Sequence, residues 1–175
     1  MAVNPDIHYT FNESSATTIR DYSDGNNADS TGANLTNQLS SGEVGQELVF
    51  DGSTSTLISD STVSALSAVT GLTICMRVNF ASNTGTDTVF SIAGLLSCTW
   101  DGTTLSAALI DSAAATITVT NDVTPMSNGR WYSVILRLNS STQNWRMFVD
   151  GDNQTEFITS GTTATITDTL NIGWD

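Results

Sequence analysis

Arg130-Trp131-Tyr132-Ser133-Val134-Ile135-Leu136-Arg137-Leu138, a short Asn/Ser/Thr turn, and Asn144-Trp145-Arg146-Met147-Phe148-Val149-Asp150-Gly151 decide how this chain folds. Tyr132, Val134, Leu136 and Leu138 share one face of the first segment. Trp145, Met147 and Val149 share one face of the second. Alternation at period two, with β-branched and aromatic residues, predicts a half-buried hairpin. The closing Val-Asp-Gly predicts a turn whose glycine takes positive φ.

Working outward, further short strands are predicted at Ile7–Phe11, Glu47–Phe50 and Thr56–Ile58. Gly71–Phe80 follows, where Ile74, Met76, Val78 and Phe80 alternate with Thr73, Cys75, Arg77 and Asn79. Asp87–Ala93, Leu95–Trp100, Thr104–Ile110, Ala115–Thr120, Glu156–Thr159 and Thr169–Ile172 complete the series. Asp101-Gly102 is a hairpin signal. Val63, Leu66 and Val69 have the spacing of one helical turn. Residues 12–46 form a long polar excursion of the kind that is functional or locally folded. Many short strands and no long helix predict an all-β, two-sheet antiparallel sandwich, expected as a single domain over residues 1–175.

Charge narrows the partners. The 175 residues carry a net charge of −13, with eighteen acids and five cations. The cations are Arg20, Arg77, Arg130, Arg137 and Arg146; there is no lysine. Such a chain lacks the basic footprint of a nucleic-acid binder and is repelled by anionic membranes. No apolar run approaches the ~20 residues of a membrane span. The N-terminus shows no signal-peptide pattern. Cys75 and Cys98 are expected as free, buried thiols.

The order of motifs resembles a laminin-G-like domain of the concanavalin A-like jelly-roll superfamily. Tyr9-Thr10-Phe11 with Glu13 matches the opening strand, Asp21 to Asn27 an early loop, and Gly45-Gln46-Glu47-Leu48-Val49-Phe50-Asp51-Gly52 the next strand. Leu72 to Val78 resembles the central strand, although Arg77 stands where the family often has Trp. Gly129 to Val134, Trp145 to Gly151 and Asn171-Ile172-Gly173 follow in order. The resemblance implies a jelly roll. It also implies a final strand after the Ile-Gly element, pairing beside the first; the sequence stops at Asp175. The expectation is an open sheet edge near residues 7–11, available to other virion proteins or identical subunits.

Chemistry is sparse. No Glu-x-Asp-x-Glu pattern supplies the paired carboxylates of a glycosidase. His8, the one histidine, has no evident partner for catalysis or zinc. Calcium suits oxygen ligands, and Asp21, Asp24, Asn26 and Asp29 are the candidates, with Asp150, Asp152 and Glu156 a weaker cluster. Turn formation by the same residues is the plain alternative. For ligand or partner contact the candidates are Trp100, Trp174, Tyr9 and Phe11; Trp145 is assigned to the core, and Trp131 to the face of Ser133, Ile135 and Arg137. The expected function is non-enzymatic: a virion structural or attachment module, such as a phage capsid decoration or tail-associated protein at the virion surface. The alternative is an extracellular or cell-surface carbohydrate-binding module, with or without calcium.

Overall fold

A computed structural model describes residues 7–12, 18–23, 30–33, 36–38, 45–51, 53–59, 63, 66–81, 85–139, 141–158, 162–166 and 168–173. Among these residues the strands are β1 (Thr18–Ile19), β2 (Ser30–Ala33), β3 (Thr36–Gln38), β4 (Glu47–Val49), β5 (Thr56–Ser59), β6 (Leu72–Asn79) and β7 (Asp87–Ile92). They continue as β8 (Leu96–Trp100), β9 (Leu105–Ile110), β10 (Thr116–Thr120), β11 (Trp131–Asn139), β12 (Asn144–Val149), β13 (Asp152–Ile158) and β14 (Asn171–Gly173). An eight-stranded sheet runs β1-β2-β5-β14-β7-β8-β9-β10. A four-stranded sheet runs β13-β12-β11-β6, and β3 pairs with β4 alone. Every pairing is antiparallel. The architecture is an all-β jelly-roll sandwich.

Alternation explains the core. Tyr132, Val134, Leu136 and Leu138 of β11, with Trp145, Met147 and Val149 of β12, are no more than 2% exposed. They pack against Phe90, Cys98, Trp100, Leu105, Ala107, Leu109 and Val119 of the large sheet. The buried Trp145 indole N–H donates to the Ala107 carbonyl at 3.2 Å, fixing β12 over β9. Phe80 stacks on Trp100, with ring centroids 4.5 Å apart.

Several expectations are corrected. Ile7–Phe11 is not a strand: Tyr9 makes one isolated bridge to Asp21, and Phe11 leaves the extended region at φ 58°. The segment is therefore no edge of either sheet. Their edges, among the described residues, are β1, β10, β13 and β6. The late Ile-Gly element, β14, lies between β5 and β7 inside the large sheet. Of the expected turn at Val63, Leu66 and Val69, the described residues show Leu66 N–H donating to the Val63 carbonyl at 3.0 Å. The polar excursion contains β1, β2 and β3. Cys98 is buried as expected, but Cys75 is exposed, because strand phase turns it away from Ile74 and Met76.

Turns follow side-chain chemistry. Asp150 (φ 49°) and Gly151 (φ 92°) join Val149 to its register partner Asp152. Two positive φ values in a two-residue loop define a type I′ hairpin, which matches strand twist. Asp51 accepts from Ser53, Thr54 and Ser55 backbone N–H groups and from the Thr54 hydroxyl. Asp101 accepts from Thr103 and Thr104 backbone N–H groups and from the Thr103 hydroxyl. These donors stabilise the ionised form, so both carboxyls sit below the usual carboxylate range.

Three outcomes follow from this packing. Gly173 has φ +91°, and a Cβ there would collide with the Phe50 ring and lie 2.6 Å from the Ser55 carbonyl oxygen. Gly173→Ala should cost about 2–4 kcal/mol in urea unfolding. Gly151→Ala, where nothing lies within 4 Å of the added carbon, should cost about 1–2 kcal/mol; equal losses would contradict the close contact. Because folding depresses the Asp51 carboxyl, its contribution is full above the unfolded carboxyl range, about pH 4, and is lost as pH falls from there toward its folded value. Asp51→Asn should lower the urea midpoint at pH 7, with a gap to wild type that narrows below about pH 4; a gap constant to pH 3 would contradict it. Burial pushes the Cys98 thiol upward and hides it. A native thiol titration should therefore count one rapid group, Cys75, and a denatured one two.

Candidate functional site

The outer face of the four-stranded sheet is an ordered lattice set by strand register. One row across β6, β11, β12 and β13 reads Thr73, Arg137, Arg146, Glu156. The next row reads Cys75, Ile135, Phe148, Asn153. The third begins with Arg77 and Ser133, and the fourth with Asn79 and Trp131. Each row is two residues from the next because alternate side chains share a face. The result is a half-buried apolar bar, Ile135 with Phe148, bounded by Arg137 and Arg146 on one side and Arg77 on the other.

An open cleft of about 450 Å³ lies along this bar, lined by Thr73, Cys75, Ile135, Arg137, Phe148 and Gly151. Arg137 and Arg146 stand directly opposite each other, an arrangement that destabilises a strand pair unless compensated. Glu156 compensates one of them: its Oε2 lies 2.7 Å from Arg146 Nε. The other Glu156 oxygen accepts from Asn144 Nδ2 at 3.0 Å. No carboxylate among the described residues pairs with Arg137, which is exposed. At the far end Asp150 is also occupied. One oxygen accepts from Ser133 N–H at 2.9 Å and the other from Arg130 at 3.1 Å. Arg130 in turn lies over the Tyr132 ring, 5.0 Å from its centroid.

The residues singled out from sequence fall elsewhere. Trp100, expected in exposed contact, is 2% exposed. Its strand phase with Leu96 and Cys98 carries it inward, and Phe80 covers it. Tyr9 and Phe11 are half-buried and stack on each other with centroids 6.3 Å apart. Of the calcium candidates, only Asp21 lies within the described residues. Its Oδ1 is turned to the backbone, accepting from His8 and Ser23 N–H groups at 2.9 Å each. Asp24, Asn26, Asp29 and Trp174 lie outside the described residues. In the second cluster, Asp150 and Glu156 are committed as described above, and the Thr124 hydroxyl donates weakly to Asp152 at 3.4 Å. No group of three His, Cys, Asp or Glu with metal-binding geometry occurs among the described residues. The arginine lattice was signalled in the alternation of Ile135 with Arg137 and of Arg146 with Phe148, but the register across β6 supplies its shape.

No family model matches the sequence, and no curated protein matches it either. The fold does match solved structures. The binding domain of Paraclostridial Mosquitocidal Protein 1 superposes with a TM-score of 0.77 at 11% identity, over 97% of this chain and 44% of that one. A structure of botulinum neurotoxin type C, whose cell entry depends on interaction with two ganglioside molecules, superposes at 0.71 and 14% identity, over 97% and 42%. The botulinum neurotoxin DC binding domain, in complex with SialylT, superposes at 0.65 and 12% identity, over 95% and 45%. The chain thus spans less than half the length of these structures. At such identities the likeness establishes a shared fold, the β-sandwich of toxin binding domains.

Proposed function

We propose that this chain is a non-enzymatic carbohydrate-binding module and that the outer face of the four-stranded sheet is its binding surface. The observation that carries the reading is the Ile135–Phe148 bar lying in an open cleft and rimmed by polar and cationic side chains. Sugar sites combine an apolar surface for a ring face with a few placed polar groups. The fold supports it, since the similar structures are binding domains rather than enzymes. The laminin-G-like resemblance is a finer form of the same reading. Glycosidase chemistry needs two available carboxylates at the scissile bond; here Glu156 is held by Arg146 and Asn144, and Asp150 by Arg130 and the Ser133 amide. Of the features that favoured a virion structural role, the open edge strand at residues 7–11 is not formed, and the similar structures favour the carbohydrate reading.

The test is a saccharide panel followed by titration calorimetry on the best binder. Phe148→Ala should weaken binding about tenfold, the scale of removing one aromatic contact, while leaving the melting temperature within a few degrees. Arg20→Gln, which removes an exposed side chain stacked over Tyr22 away from this sheet, should leave binding unchanged. Absence of any saccharide binding by the folded protein, or binding indifferent to Phe148→Ala, would reject the proposal.

A further inference from the structure

The distribution of cations is uneven enough to specify a ligand class. Four of the five arginines, Arg77, Arg130, Arg137 and Arg146, stand on or beside β6, β11 and β12. The remainder of a molecule of net charge −13 carries only Arg20. Three of the four, Arg77, Arg137 and Arg146, share the outer face with the apolar bar. Two of those three are placed opposite each other, with Glu156 ion-paired to Arg146 and Arg137 left without a carboxylate among the described residues.

We infer that this face binds an anionic saccharide, with Arg137 as its anion-binding side chain and Ile135 and Phe148 beneath a sugar ring. The inference rests on the carbohydrate-binding reading above and names its substrate class. Guanidinium groups present a planar fork of donors that matches carboxylate and sulfate oxygens. Arg137 lines the same cleft as Ile135 and Phe148 and stands one row along the strands from them.

The overall negative charge does not oppose this. At physiological salt the screening length is about 8 Å, so a short ligand lying on the face senses the arginines more than distant acids. A ligand much larger than the face meets the rest of the molecule. An anionic vesicle or a nucleic acid therefore fits poorly, because each needs an extended basic footprint.

The test titrates the full chain with three probes of one size at fixed ionic strength: a sulfated chondroitin hexamer, a hyaluronan hexamer carrying carboxylates only, and neutral chitohexaose. At least one acidic hexamer should bind ten or more times more tightly than the neutral one. Arg137→Gln should weaken that binding about tenfold, the scale of a hydrogen bond to a charged group, without shifting the melting temperature. The acidic hexamer showing the larger loss identifies carboxylate or sulfate as the recognised group. Chitohexaose binding as tightly as both acidic hexamers would overturn the inference while leaving carbohydrate binding standing. Failure of all three probes and of the wider saccharide panel would overturn both. Arg137-dependent binding to phosphatidylserine vesicles, with no binding of the hexamers, would overturn the inference in favour of a lipid surface.

Discussion

The indole of Trp145 is the point on which the two sheets depend. It is completely buried, and its one polar atom would be left without water or partner if the sheets slipped. The Ala107 carbonyl supplies that partner at 3.2 Å, across the sandwich. A one-residue slip of β12 would move Trp145 outward and Arg146 into the core, because the side-chain period of a strand is two. Burying Trp145 therefore also orders the opposite surface. It places Arg146 and Phe148 on the outside and, through the β11 register, sets them beside Arg137 and Ile135. Core and candidate site are two faces of one alternation.

That coupling makes the outer face energetically informative. Two arginines opposite each other are a poor choice for stability alone. Glu156 relieves half of the problem from β13, and its other oxygen is anchored by Asn144. A second carboxylate opposite Arg137 would complete the neutralisation; that position on β6 is Thr73. Surface ion pairs contribute little each, so the missing partner costs the fold little while leaving an available guanidinium next to an apolar bar.

Strands were legible wherever one face is buried and the other wet, as in β6, β8, β9, β11 and β12, because alternation is then written in residue types. It was not legible in β1 to β3, where Ser, Thr, Asn and Gly predominate and no apolar rhythm marks a strand. Ile7–Phe11 has the rhythm but not the backbone, since Phe11 adopts positive φ. Trp100 shows the opposite error. Its place before a turn suggests exposure, whereas its phase with Leu96 and Cys98 demands burial. The site itself was half legible. Each strand displays its own outward residues, but which of them stand opposite one another is set by hairpin register, and the β6 side of the face comes from a segment far away in sequence.

The likeness to toxin binding domains does not locate a ligand on this chain. This chain covers less than half of each of those structures, and a saccharide held by such a domain can sit on the part that has no counterpart here. Fold is shared far more widely than function. Any ligand specificity of this chain therefore lies in surface chemistry that sequence identities of 11–14% leave free to differ. In this chain that chemistry is concentrated. Three of the five arginines an acidic protein retains share one outer face with the Ile135–Phe148 bar. A half-buried apolar strip flanked by arginines is suited to a ligand with an apolar face and anionic substituents.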